Sequence, residues 1–343
     1  LTRESLGPPG SERAGIGGVD RDHAEVDHVC SILQVMSLHA TPGLRQCRRV
    51  EPARYAEDVT EQWDQAGPNQ VYQADNLPIL RSLPDAAFRL IYLDPPFNTG
   101  RARRAERVRG VPTDPAEGGR LGFRGRGYAV TREMTLAYDD RFGDYWDFLE
   151  PRLVEAWRLL ADDGTLYLHL DYREVHYAKV LLDALFGPEC FINEIIWAYD
   201  FGSRTRKRWP TKHDNILVYA KNPDAYYFDA AAVDREPYMA PGLVTPEKAA
   251  LGKLPTDTWW HTIVSPTGKE RTGYPTQKPV GVLRRIVQAS SRPGDWVLAA
   301  FAGSGTTGAA AQALDRRFVL IDENPEAHEV MRKRFATHTV DFR

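Results

Sequence analysis

Residues 296–322, WVLAAFAGSGTTGAAAQALDRRFVLID, carry the reading that decides the fold. Trp296–Phe301 is a near-continuous apolar run, as expected of a strand buried on both faces. Ala302–Gly308 reads as a glycine turn, Thr307–Leu314 as a helix of small residues, and Phe318–Ile321 as a second strand ending at Asp322. Gly303-Ser304-Gly305-Thr306-Thr307-Gly308 fits G-x-G-x-x-G, with Asp322 placed 19 residues after Gly303. Glycines let backbone approach a ligand closely, and a carboxylate at the next strand tip can accept from a pair of ribose hydroxyls. Any adenosine-containing ligand satisfies this pattern. A P-loop is disfavoured, because no Lys follows the last glycine.

Position in the chain decides more than the motif. Only 21 residues follow Asp322, whereas a dinucleotide fold needs several more strands downstream of its fingerprint. The rest of the sheet is therefore expected upstream, from residues 70–197, a permuted arrangement that argues against an NAD enzyme. Upstream, Gln70–Asp75 alternates as a short strand and Asn76 is placed to cap an apolar helix ended by Pro84-Asp85. Phe88–Leu93 (FRLIYL) is an apolar strand that stops at Asp94-Pro95-Pro96-Phe97, since two prolines cannot continue a central strand. A helix is expected near Tyr145–Ala161 with Gly164 as its C-cap signal, then a strand at Thr165–Leu170, a helix at Val175–Phe186 and strands at Phe191–Trp197 and Asn215–Tyr219. Tyr274–Pro279 leads into a helix bearing Val282, Leu283, Ile286 and Val287, and Glu326–Phe335 is the terminal helix. Alternating strands and helices predict an α/β fold with a mostly parallel twisted sheet.

The remaining chain is less regular. Residues 1–66 read as a poorly ordered tail, whose His23, His28, Cys30, His39 and Cys47 match no zinc spacing, so no metal is expected. With Cys190 there are three cysteines, too few for a disulfide framework, and a cytoplasmic setting is expected. No apolar run reaches the ~18–20 residues of a membrane span, and the N-terminus lacks a secretory h-region. The 343 residues carry a net charge of −3, so binding of a polyanion must rest on local patches. Two exist: a basic loop over 101–132, and Arg204, Arg206, Lys207, Arg208 and Lys212 around Trp209. Aromatic residues interleave both, which favours a nucleic-acid partner over a merely solvated face.

QADNLPILRSLPDAAFRLIYLDPPFNTG at 73–100, HLDYREVHYAKVLLDALFG at 169–187, YPTQKP at 274–279 and FAGSGTT at 301–307 together resemble the beta group of DNA amino-methyltransferases, over residues 69–337. The order, DPPF first and FxGSGTT last, is that of the group; type III modification subunits are similar but longer. The resemblance implies a Rossmann-like S-adenosylmethionine-dependent methyltransferase fold with circularly permuted motif order. It divides the chain into a catalytic domain (67–197 and 266–343) and a target-recognition segment (198–265). It implies transfer of a methyl group from S-adenosylmethionine to N6 of a flipped-out adenine in double-stranded DNA, with N4 of cytosine, an RNA target or a weakened DNA-binding relative as alternatives. Asp94, Pro95, Pro96 and Phe97 are implied as the active site. Gly303, Ser304, Gly305 and Thr306, with Phe301, Asp322, Lys278, Asp75 and Asn76, are implied as cofactor contacts. Arg204, Arg206, Lys207 and Arg208 are the expected DNA contacts. A homodimer and a cognate restriction endonuclease are left open as partners. One departure stands out: Ala299-Ala300 replaces the family's Asp-Pro, removing an acidic group expected beside the cofactor's ammonium.

The chemistry of the Asp-Pro-Pro-Phe loop can be argued from the residues alone. An exocyclic amine conjugated to a base ring is a poor nucleophile. Two acceptors on its N–H bonds, the Asp94 carboxylate and the Pro95 carbonyl, would localise its lone pair. Phe97 offers a face on which an extruded base can stack.

Overall fold

The computed structural model describes residues 63–97, 145–202, 204–265 and 267–343, and the backbone of three strands between 103 and 138. The strands are β1 (Asn69–Tyr72), β2 (Phe88–Leu93), β3 (Arg103–Thr113), β4 (Arg120–Leu121), β5 (Gly127–Tyr138), β6 (Leu160–Leu170), β7 (Phe191–Ala198), β8 (His213–Ala220), β9 (Thr258–Trp260), β10 (Trp296–Ala299), β11 (Arg317–Ile321) and β12 (Val340–Phe342). The α-helices are α1 (Asn76–Ser82), α2 (Tyr145–Leu159), α3 (Val175–Phe186), α4 (Pro246–Leu251), α5 (Val280–Ser290), α6 (Thr306–Ala313) and α7 (Pro325–Arg334).

Nine strands form one sheet in the order β12-β1-β11-β10-β2-β6-β8-β7-β9. Pairing is parallel from β12 through β6; β8 runs antiparallel between β6 and β7, and β9 is parallel to β7. Side chains alternate across the sheet, so the apolar strands feed two layers. Ile91, Leu93, Leu166, Leu168 and Leu298 pack under α1, α2 and α3. Leu90, Tyr92, Val297 and Leu320 pack under α5, α6 and α7. Burial on both faces explains why these strands read as continuous apolar runs.

The topology fixes where a ligand can sit. From β10 the chain crosses to β11 on one side, and from β2 it reaches β6 on the other, while β2 and β10 are themselves neighbours. The strand order therefore reverses between β10 and β2. In open α/β sheets the crevice beyond the strands' carboxyl ends at such a point is the binding site.

Several local expectations change. Asp75, not Asn76, caps α1: its Oδ1 accepts from Leu77 N at 3.0 Å, which frees the buried Asn76 side chain for other work. Gly164 is not a helix C-cap, because α2 passes directly into β6. Phe88 pairs with Leu160 and Leu90 with Thr165, so β6 bulges here. A Cβ at Gly164 would stand 2.9 Å from the carbonyl oxygens of Ala161 and Arg89. The basic stretch expected as a loop contains β3 and β5, paired antiparallel, with β4 against β5. The tail boundary also moves, since Trp63 packs on Phe88 and Trp296 with ring centroids 5.6 and 5.0 Å away. Residues 1–62, with the five His and Cys positions noted above, lie outside the described residues.

Candidate active site

Asp94 follows β2 immediately, and the loop Asp94–Phe97 leaves the sheet beside the glycine turn that follows β10. Asp94 has two unlike oxygens. Oδ2 accepts from Lys278 Nζ at 2.5 Å, while Oδ1 is buried with no hydrogen-bond partner among the described residues. Lys278 is itself held from behind, its carbonyl accepting from Thr306 Oγ1 at 3.1 Å at the start of α6. The Lys278 ammonium also lies 5.1 Å from the centre of the Phe97 ring.

Two cavities meet at this loop. The first, about 330 Å³, is lined by Asp94 and Pro96, by Phe301, Gly303, Ser304 and Thr306 of the turn, and by Asp322 at the tip of β11. Asp75, Asn76 and Lys278 complete it, so most of the expected cofactor residues gather in one place. Gly305 lies one layer back, with φ +73 at the N-cap of α6. A Cβ there would come within 2.8 Å of Met331 Cγ, which is why only glycine fits. The second cavity, about 670 Å³, opens on the other side of the loop and is lined by Phe97, Trp197, Tyr199, Asp214 and Arg208 among others. Tyr274, Thr276 and Lys278 line both. Pro95 is buried and stiffens the loop between them. Arg204, Arg206, Lys207 and Arg208 are exposed on the segment between β7 and β8; of the four, only Arg208 lines the second cavity.

The first cavity fits an adenosine-bearing cofactor. Asp322 Oδ2 accepts from Gly303 N at 2.7 Å and Oδ1 from Asn324 N at 3.0 Å, so each oxygen keeps a lone pair for a further hydroxyl. Burial pushes its carboxyl up to about 6, against the backbone N–H groups that favour the ionised form. Phe301 and Phe148 face each other across one end, their rings 5.9 Å apart. The departure at Ala299-Ala300 reads differently in three dimensions. Ala299 is fully buried in the layer under α5 and α6, and it is Ala300 that borders the cavity. Carboxylates along the cavity come instead from Asp75, Asp94, Asp322 and Glu323.

Some participants were not foreseen. Arg152 of α2 donates from Nε to Asn76 Oδ1 at 2.5 Å and from its NH2 nitrogen to Asp75 Oδ1 at 2.8 Å, while Asn76 Nδ2 reaches the Ala300 carbonyl at 2.5 Å. This chain ties α1, α2 and β10 together along one cavity wall. An isolated Arg within an amphipathic helix gives no sequence signal of such a role. Gln277, next to Lys278, braces its own loop by accepting from Thr272 N at 2.8 Å and donating to the Glu270 carbonyl.

Residues 88–333 match the family model described as DNA methylase, N6_N4_Mtase. Curated relatives include the type II methyltransferase M.EcaI of Enterobacter cloacae, 28% identical over 82% of this chain and 73% of that protein. The DNA adenine methyltransferase YhdJ of Escherichia coli K12 is also 28% identical, over 80% of this chain and 82% of its own. Among solved structures, the cytosine-N4-specific PvuII DNA methyltransferase superposes with a TM-score of 0.52 at 14% identity, covering 77% of this chain and 86% of that one. That likeness concerns the fold, which is a Rossmann-like methyltransferase fold. With the family model spanning most of the sheet and both cavities, the chain belongs to the N6/N4 DNA methylase family.

Proposed function

We propose that the chain methylates N6 of adenine in double-stranded DNA, using S-adenosylmethionine. The observation that carries this reading is the Asp94 carboxylate on the wall of the first cavity, one oxygen fixed by Lys278 and the other unengaged, with Phe97 of the same loop lining the second. The first cavity takes the cofactor, with Asp322 toward the ribose hydroxyls, Gly303–Thr306 beside the methionine part, Phe301, Asp75 and Asn76 on the adenine side, and Lys278 near its carboxylate. The bound cofactor supplies an electrophilic methyl group on a sulfonium. The second cavity takes the extruded base, stacked on Phe97, and the Asp94 carboxylate and Pro95 carbonyl accept from its amine. Adenine is preferred over cytosine because the loop begins with Asp, where N4-cytosine members more often carry Ser; the name of the YhdJ relative points the same way.

The decisive experiment transfers a tritiated methyl group from S-adenosylmethionine to unmethylated duplex DNA, followed by nucleoside analysis. N6-methyl-2′-deoxyadenosine is the expected product. N4-methylcytosine would overturn the adenine reading, label on RNA alone the DNA reading, and absence of transfer the enzymatic one.

Asp322 gives the cofactor reading a pH signature. Its ionised form accepts from hydroxyls, and its carboxyl is held up to about 6. Falling pH protonates it and removes acceptor capacity. Cofactor Kd measured by calorimetry should be flat above about pH 7 and rise by up to tenfold per unit below about 6. An Asp322→Asn variant should lose that rise.

A further inference from the structure

His169, the last residue but one of β6, is fully buried and lies outside every motif role assigned above. Its Nδ1 is 2.6 Å from the Tyr92 hydroxyl and 4.0 Å from Asp94 Oδ1, the carboxylate oxygen without a partner. Its Nε2 faces Asp214 Oδ2 of β8 at 3.4 Å. The ring is wedged between Phe97 and Trp197, with centroids 5.8 and 5.6 Å away. An imidazole is thus buried directly behind the reacting carboxylate, with a second carboxylate behind it.

We infer that His169, backed by Asp214, holds the proton that methylation releases, receiving it from Asp94. This rests on the methyl-transfer reading above. Transfer forms the N–C bond from the amine lone pair and breaks the S–C bond, whose electrons stay on sulfur. The N–H bond then breaks, its electrons stay on nitrogen, and one proton must leave. Asp94 Oδ1 takes it first. The proton then passes to His169 Nδ1, 4.0 Å away, as the Tyr92 hydroxyl turns its hydrogen out of the way. The product is an Asp94 carboxylate still paired with Lys278, and an imidazolium facing the Asp214 carboxylate. The proton returns to water when the methylated base leaves.

The surroundings fit that sequence. The 3.4 Å contact from Nε2 to Asp214 is not aligned as a hydrogen bond, so it is the carboxylate's charge that favours an Nε2–H, which leaves Nδ1 to accept from Tyr92. Burial, with Asp94 and Asp214 nearby, holds the Tyr92 hydroxyl well above its ordinary range, so it stays a donor. When Nδ1 gains a proton, this hydroxyl rotates to accept from it. Although burial pushes the Asp214 carboxyl up, the His169 side chain and the Lys278 charge outweigh it and hold the group below the usual carboxylate range. Among the described residues, the Tyr199 hydroxyl, 3.3 Å from Asp214 Oδ1, and the Asp171 carboxylate just after β6 complete the titratable groups around the pair. Orienting a histidine tautomer with a buried carboxylate is the logic of the hydrolase triads. Here the histidine acts through Asp94 and does not touch the base.

The test compares wild type with His169→Asn in single turnovers of S-adenosylmethionine and unmethylated duplex DNA, over about pH 5.5 to 9. Asn keeps a polar group for Tyr92 but cannot hold a proton. The expected result is a rate lower by roughly 10- to 100-fold, cofactor and DNA Kd values within a few-fold, and an acid limb displaced downward by about one pH unit or more. An unchanged pH profile, or a loss carried by Kd alone, would overturn the inference. Nitrogen-15 NMR of the histidines provides a readout independent of turnover: His169 should be the Nε2–H tautomer in wild type and lose that preference in Asp214→Asn. An Nδ1–H tautomer in wild type overturns the proposal even if methylation proceeds. A wild-type chain that transfers no methyl group overturns the methyl-transfer reading, and this one with it.

Discussion

Asp94→Asn is expected to lower the rate of methyl transfer by about 10³-fold or more while leaving cofactor Kd within a few-fold. Lys278 Nζ already claims one oxygen of residue 94. In the variant the single amide oxygen turns to that ammonium, and the NH2 group is left facing the substrate amine. Donor then meets donor where two acceptors are required. Removing a group that both orients an amine and takes its proton costs in the range of ~10² to 10⁴. Single-turnover kinetics with calorimetry of the cofactor separates the effects, and retention of more than a tenth of the wild-type rate would sink the role given to Asp94.

The second large effect concerns DNA. Arg206, Lys207 and Arg208 are exposed on the segment between β7 and β8, and Arg208 lines the second cavity. Each phosphate contact contributes a slope of about −0.9 to log K against log salt. Replacing all three by Ala should flatten the slope by about two to three units and weaken binding by roughly 100-fold at ~0.15 M salt. The loss should appear in the DNA KM, with little change in single-turnover rate at saturation. Fluorescence anisotropy at several salt concentrations measures it. An unchanged slope would return these residues to an ordinary solvated surface.

The legibility of this chain in its sequence varied with how local the signal was. Phe88–Leu93, Trp296–Ala299 and Arg317–Ile321 are apolar because both faces are covered, and their helices carry clear apolar faces, so the sheet's centre was readable. The Asp94 loop and the glycine turn were readable because proline and glycine restrict backbone in ways no other residue does. Three things were hidden. Arginine and glycine in 103–138 mask strand pairing that depends on a partner rather than on periodicity. Gly164 looks like a helix stop, whereas its function is to let β6 bulge against the Arg89 carbonyl. The sets Arg152–Asn76–Ala300 and Tyr92–His169–Asp214 join residues far apart in the chain, and only the register of the sheet brings them together. Ala299 shows the converse: a missing motif residue suggested a defect in the cofactor site, yet strand alternation turns that position toward the apolar layer.

The neighbouring placement of β2 and β10 also has a temporal side. Asn76 and the Ala300 carbonyl, joined by one hydrogen bond, are 224 residues apart in the chain. Every contact across the β2–β10 seam carries a loop-closure cost of this scale, so the native set is dominated by non-local pairings, which fold slowly. During synthesis at ~5–20 residues per second, β2 has no partner on its β10 side until about 200 further residues have emerged. For roughly ten seconds or more, Leu90 and Tyr92 therefore wait without the strand that completes their layer. The ribosome-bound chain is thus the form in which this protein is most open to aggregation, and in which a holding chaperone has the most to protect.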